Sequence, residues 1–171
     1  MRSLFWMCNI QDMKLSEGVE WALHSCLNLS WVEDEAVTAT KLAAFYELPT
    51  AYMNKQLQAL ARAGILSSVS GPRGGFRLAK NIDDITLLDV VVAIEGPDDI
   101  FRCDQVLRRG PGGSDEVDYR QTCILSGAMR KADLAWRTSL AGQTIADIRA
   151  DVEKAYPHTR DATLNHFLNV G

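Results

Sequence analysis

One stretch constrains this chain more than any other: Gly64-Ile65-Leu66-Ser67-Ser68-Val69-Ser70-Gly71-Pro72-Arg73-Gly74-Gly75-Phe76-Arg77-Leu78. Gly71-Pro72-Arg73-Gly74-Gly75 is turn chemistry, and the flanks at 65–69 and 76–78 are short and strand-like. Gly64 stands where a helix should stop, because glycine takes the left-handed C-cap conformation without steric penalty. Three helical patterns lie upstream. Residues 16–29 place Val19, Leu23, Cys26 and Leu27 at helical spacing behind Ser16 as N-cap. Thr38 and Thr40 offer caps for a short helix through Leu42, Ala43 and Phe45, and Pro49 closes it, since the residue before proline avoids the helical region. A third helix at 50–63 buries Met53, Leu57 and Leu60. Residues 31–36 read as an acidic loop. Three helices followed by a glycine-turned hairpin is the order of a winged helix-turn-helix, whose third helix enters the major groove.

Beyond the hairpin, Thr86-Leu87-Leu88-Asp89 resembles a capping box opening a helix to Ile94, which Gly96-Pro97 ends. Residues 97–121 are polar and contain Gly110-Pro111-Gly112-Gly113, the composition of a mobile loop. A long helix is expected at about 121–140, striped by Ile124, Leu125, Ala128, Met129, Ala132, Ala135, Trp136 and Leu140. Gly142 interrupts it, and Thr144-Ile145-Ala146-Asp147 restarts a shorter helix. The tail from Tyr156-Pro157 is loosely specified, with a short helix around 164–168. The fold class is mainly α with a small β-hairpin wing.

The net charge of −4 over 171 residues speaks mildly against nucleic acid until it is partitioned. Residues 39–80 hold six bases (Lys41, Lys55, Arg62, Arg73, Arg77 and Lys80) against one acid, Glu47, a net of +5. The remainder holds 12 bases and 21 acids, a net of −9. A basic island in an acidic chain is the footprint of a phosphate-binding surface. On the third helix the outward residues are Thr50, Ala51, Tyr52, Asn54, Lys55 and Gln58. Asn and Gln read adenine edges, and Lys reaches guanine or phosphate. Thr38 and Lys41 lie at the start of the second helix. At the hairpin tip, Ser70, Arg73, Gly74 and Gly75 offer a minor-groove arginine and freed backbone N–H groups. The competing readings are a solvated basic face and a winged helix that binds protein. An enzyme is poorly supported: G-x-S-x-G, phosphate-loop and H-E-x-x-H patterns are all missing. Four cysteines are too few for a disulfide scaffold, and no apolar run reaches the ~20 residues of a membrane span. The expectation is a cytosolic protein with reduced thiols. Residues 1–12, with Cys8, read as an extension before Met13-Lys14-Leu15, since their apolar run breaks at Asn9 without a small-residue cleavage site.

Met13-Lys14-Leu15-Ser16, Leu57-Gln58-Ala59-Leu60-Ala61-Arg62-Ala63-Gly64-Ile65-Leu66, the Gly71-Pro72-Arg73-Gly74-Gly75-Phe76-Arg77-Leu78 wing and Ile85-Thr86-Leu87-Leu88-Asp89-Val90-Val91 with Ile94-Glu95-Gly96-Pro97 occur in that order. Together they resemble the Rrf-two family of bacterial transcription regulators, the IscR- and NsrR-like proteins, over roughly 13–148. The resemblance implies a DNA-binding homodimer on a pseudo-palindromic operator, with the long helix crossing its partner. It divides the chain into an extension (1–12), a winged helix-turn-helix domain (13–95), a cysteine-bearing sensor loop (96–121) and a dimerisation helix with tail (122–171).

Cluster-binding members of the family carry three closely spaced cysteines before the long helix. This chain has two, Cys103 and Cys123. That spacing is similar to the two-cysteine redox regulators typified by RsrR. The resemblance then implies a two-iron, two-sulfur cluster held by Cys103 and Cys123, with a carboxylate and an imidazole from the other subunit. Glu20 matches the carboxylate. Tyr46 occupies the imidazole position, a departure from the pattern, and His24, four residues after Glu20 on the same helix face, is the substitute. Arg102, Arg108 and Arg109 near Cys103 would favour its thiolate. The alternative is a cofactor-free regulator governed by thiol oxidation or by a protein partner. Cys26 reads as core, and Trp21, Trp136 and Phe45 as core or interface aromatics.

Overall fold

The computed structural model describes residues 15–33, 35–71 and 74–168. The extension at 1–12 with its Cys8, and Pro72 and Arg73 at the hairpin tip, lie outside them. Among the described residues, the chain opens with α1 (Glu17–Val32), α2 (Ala39–Phe45) and α3 (Thr50–Arg62). The hairpin follows as β1 (Leu66–Val69) and β2 (Gly75–Leu78), antiparallel in the register Leu66↔Leu78 to Val69↔Gly75. Then come α4 (Leu87–Glu95), the single turn α5 (Tyr119–Thr122), the long α6 (Ile124–Ala141), α7 (Ile145–Ala155) and α8 (Thr159–Leu168). This is mainly α with a two-stranded wing, as the sequence patterns predict.

The core sits where α1, α3, α4 and the wing meet. Ala22, Cys26 and Leu29 of α1 pack with Met53, Leu57 and Leu60 of α3, with Ile65, Leu66 and Phe76 of the hairpin, and with Ile85 and Val90 around α4. Gly64 takes φ +71° to turn the chain out of α3 into β1. A short bridge pairs Val37 with Phe76, so the returning strand is bonded to the segment before α2 as well as to β1. The expected capping box forms at Thr86 with Asp89, and a second one opens α7 at Thr144 with Asp147. They also face each other: Leu87 N donates to Gln143 O and Ile145 N to Ile85 O, both at 2.9 Å. Helices α4 and α7 thus start from one paired junction, with Ile85 and Ile145 buried beneath it.

Three segments differ from the sequence expectation. Trp31 and Val32 belong to α1 rather than to a loop, and both are buried. The cause lies in α7: Trp31 Nε1 donates to Glu153 Oε1 at 2.7 Å, and Arg149 donates to the Ser30 carbonyl at 3.0 Å. That carbonyl lies in the last turn of α1, where intrahelical partners run out. Residues 97–121 are not featureless; they hold a 3-10 turn at Val106–Arg109 and the turn α5, and Ser114 N donates to Tyr119 Oη at 3.0 Å. The tail forms a ten-residue helix, α8, that packs against α1 and buries Thr163 and Phe167.

Candidate nucleic-acid interface and sensor loop

The turn between α2 and α3 lifts one side of α3 clear of the core. Met53, Gln56, Leu57 and Leu60 face inward. Thr50, Ala51, Asn54, Lys55 and Gln58 are exposed, and Tyr52 is half-buried. The structure therefore brings the sequence-selected residues of this helix onto one open surface. Thr38 caps α2, its Oγ1 accepting from Lys41 N at 3.2 Å, so its hydroxyl has a local role. The Lys41 ammonium donates to the Phe167 carbonyl of α8 at 3.0 Å.

In the wing, Ser70 is exposed beside the tip. Gly74 and Gly75 stand where the packing leaves no room for a side chain. Gly74 N donates to Gly71 O at 2.8 Å, closing the turn, and a Cβ on Gly74 would meet Val69 O at 2.3 Å. A Cβ on Gly75 would meet Val37 O at 2.4 Å.

Cys103 and Cys123 approach one group from two sides. Cys123 N donates to the Tyr119 carbonyl at 3.0 Å, and Cys103 Sγ lies 4.0 Å from the same oxygen. Cys123 is also the residue before the first turn of α6, and both thiols are half-exposed. A cavity beside Cys103 is lined by Arg102, Arg120, Arg130, Ser126, Asp99 and Asp104. The arginines near Cys103 have partners: Arg102 pairs with Asp98, Arg109 with Asp104 at 3.2 Å, and Arg108 with Asp115 at 3.7 Å. The root of the loop is fastened to α6. Arg137 donates to the Pro97 and Asp98 carbonyls at 3.3 and 2.7 Å, and its Nε is held by Asp133 at 2.9 Å. The i,i+4 spacing of Asp133 and Arg137 was visible in sequence; the carbonyls they secure were not.

Glu20 and His24 are exposed on one face of α1, lining a shallow groove with Leu15, Val19 and Leu23. The structure does not bring them to Cys103 and Cys123 within one chain. Among the described residues no three His, Cys, Asp or Glu side chains gather as a metal site. Tyr46 is unsuited to donate a phenolate. Burial pushes its hydroxyl pKa well above the usual tyrosine range, and the oxygen already accepts from Asn28 at 2.6 Å. Its ring packs against Trp21 and Phe45. Cys26 is fully buried, and desolvation pushes its thiol up to about 12, which marks a structural residue. On α6, Ile124 and Leu125 are 88% and 73% exposed and share a side with the exposed Ala128, Ala132 and Ala135, an apolar side that this chain leaves uncovered.

A hairpin wing beside a helix-turn-helix with an open polar recognition face defines a winged-helix DNA-binding protein. The comparisons with known proteins narrow that class. Residues 15–151 match the family described as Rrf2, Iron-dependent Transcriptional regulator. The chain belongs to the Rrf2 family of DNA-binding transcription regulators, which are not enzymes. It is 28% identical over 145 residues to the HTH-type transcriptional regulator YffB of Lactococcus lactis, covering 84% of this chain and 92% of that protein. It is 30% identical over 136 residues to the HTH-type transcriptional regulator BadM of Rhodopseudomonas palustris, covering 80% and 81%. Its fold is similar to IscR of T. potens, with TM-score 0.63, 21% identity and coverage of 85% and 93%. It is also similar to CymR, the global cysteine regulator of B. subtilis, with TM-score 0.59, 19% identity and coverage of 80% and 96%. Among the described residues no helix is long and apolar enough to cross a membrane.

Proposed function

We propose that this regulator binds a pseudo-palindromic operator as a cytoplasmic homodimer, under the control of a two-iron, two-sulfur cluster at Cys103 and Cys123. The observation that carries the reading is the meeting of Cys103 and Cys123 at the Tyr119 carbonyl, at the foot of α6. The Cys103 thiol and the Cys123 backbone N–H converge on that oxygen, both cysteines are half-exposed, and two cysteines brought to one segment suit half of a cluster's donor set. The other donors are Glu20 and His24 of a second copy, both exposed and four residues apart on α1. The uncovered apolar side of α6 supports the second copy, since a wide exposed stripe marks an interface. When bound, the cluster supplies a reversible one-electron change; Cys103 and Cys123 hold it, and Arg102 and Arg120 line the cavity alongside.

DNA is met by Thr50, Ala51, Tyr52, Asn54 and Lys55 of α3, with Thr38 and Lys41 of α2 and Ser70, Arg73, Gly74 and Gly75 of the wing alongside. The exposed face of α3 favours base-edge contacts by Asn54 and phosphate contact by Lys55. The experiment is anaerobic purification followed by an absorption spectrum with iron and acid-labile sulfide analysis. Coloured protein that loses both on Cys103→Ala or Cys123→Ala supports the reading. Iron-free, colourless protein after reconstitution overturns it. A Cys103–Cys123 disulfide in that iron-free protein, found by mass spectrometry after mild oxidation, establishes the cofactor-free reading instead.

A further inference from the structure

Helix α8 lies wholly past residue 151, where the match to the family ends. Thr163 and Phe167, four apart and so on one helix face, are 1% and 2% exposed. The Phe167 ring stands 5.2 Å from Phe45 of α2, and His166 meets the Phe45 ring edge-on at 4.8 Å. The backbone makes the more telling contact. Lys41 Nζ donates to the Phe167 carbonyl at 3.0 Å. That carbonyl lies in the last turn of α8, where carbonyls lack helical partners and the helix end favours a cation. An ammonium carries three donors, so this contact uses one and leaves two.

We infer that α8 is a positioning element for DNA binding: the Phe167 carbonyl fixes the Lys41 ammonium beside the α2–α3 face, with two donors left for a backbone phosphate. This rests on the reading that the α2–α3 face meets DNA. Lysine is a point charge on a flexible four-carbon stem, and immobilising it at an interface costs entropy. With α8 docked, that ordering is complete before DNA arrives. A chain without α8 keeps the same charge in the same region, but unfixed. The helix therefore changes affinity and leaves the number of neutralised phosphates unchanged.

The test uses fluorescence anisotropy over a salt series, with a labelled duplex from the region upstream of the protein's own gene. The variants are Lys41→Ala, Lys55→Ala, a chain ending at residue 155, a chain ending at residue 166, and each truncation combined with Lys41→Ala. The chain ending at residue 155 lacks α8; the chain ending at residue 166 loses Phe167 with its ring and carbonyl, and Leu168, and keeps 159–166 of α8. Circular dichroism melting identifies the truncations that stay folded at the assay temperature. A folded truncation should bind about three- to tenfold more weakly with an unchanged salt slope. Lys41→Ala should lower the slope by about 0.9 per protomer. Adding truncation to Lys41→Ala should cost nothing further. Tighter binding with a steeper slope on truncation overturns the proposal, because α8 would then be withholding Lys41. Unchanged binding on truncation, or losses that add, also overturn it. If neither truncation folds, Lys41→Ala in the full chain decides: a lower slope supports the contact and an unchanged slope overturns it. Lys55→Ala separates the two levels, since no effect there refutes the DNA-facing surface itself.

Discussion

Gly75 attaches the wing to the body of the domain, and replacing it gives a prediction that can be worked through. Its φ is +153°, and a Cβ there would stand 2.4 Å from Val37 O and 2.8 Å from Thr38 N. Both are backbone atoms, so no side-chain rotation relieves the clash. The next residue carries the bridge: Val37 N donates to Phe76 O at 2.9 Å and Phe76 N to Val37 O at 2.8 Å. Gly75→Ala must push these segments apart. Two backbone hydrogen bonds contribute ~1 kcal/mol each, and more if the groups stay buried without partners. The unfavourable backbone conformation adds ~1–2 kcal/mol. The expected loss is ~3–5 kcal/mol, or a fall in Tm of about 6–20 °C for a chain of this size. Gly64→Ala is the control. Its φ is +71°, yet a Cβ there meets nothing within 4 Å. It should lose only the conformational part, ~1–2 kcal/mol. Thermal and urea denaturation followed by far-ultraviolet circular dichroism measures both, and duplex binding is read below each melting point. Gly75→Ala should also weaken DNA binding, because the wing and the start of α2 share the bridge. Equal melting of the two variants would refute the argument, since the clash is the main difference between them.

Asn54→Ala should relax discrimination at one operator position by ~1–3 kcal/mol while leaving the salt slope alone, as checked by competition between single-base operator variants. Iodoacetamide under native, metal-free conditions should modify Cys103 and Cys123 well before Cys26, whose thiol is buried and pushed up to about 12; peptide mapping reads the order. Asp147 accepts from the Thr144 backbone and hydroxyl, and these bonds hold its carboxyl below the usual range. Its contribution is therefore complete above the unfolded carboxylate value of about 3.9 and disappears as pH falls through the lower folded value. Thr144→Ala removes the hydroxyl bond and keeps the backbone one, so it should reduce that acid limb only in part in a denaturation series against pH.

The order of elements was legible because each one announces itself locally. Thr38, Thr86 and Thr144 are caps that work within one turn. Gly64 and the glycines of the hairpin mark conformations or close approaches that other residues resist. The outward face of α3 follows once Met53, Leu57 and Leu60 are placed inward. What escaped depends on contacts across the chain. Trp31 and Val32 sit in an acidic context, and only Glu153 and Arg149, over a hundred residues away, make that segment a buried helix end. Helix α8 fully buries only Thr163 and Phe167, with Leu164 partly packed beside them, too little for a periodic apolar stripe. Lys41 is selected in the sequence by charge alone, and the Phe167 carbonyl that holds its ammonium lies 126 residues away. The same limit applies to the sensor residues. Two cysteines and a Glu20–His24 pair are visible as types, while their distribution over separate surfaces is a property of the folded chain.

The energetics of the 97–121 loop suit it to changing state. Its ion pairs, Arg109 with Asp104 and Arg108 with Asp115, join exposed groups, and such pairs contribute ~0–1 kcal/mol each. The winged helix below it is held by a dry core and by paired capping boxes, which resist deformation. A ligand or redox change shifts an equilibrium only by its differential interaction with two states. In this chain small differences suffice in the loop and not in the core. The loop is also joined to α6 at both ends. Its root is held by the more buried Asp133–Arg137 pair on the Pro97 and Asp98 carbonyls, and its far end runs through Cys123 into the first turn. A rearrangement at Cys103 thus bears on the helix whose apolar side is uncovered. On the proposed dimeric reading, such a rearrangement turns the two winged helices as rigid units about α6, while α3, with Asn54 and Lys55 already placed, keeps its own shape.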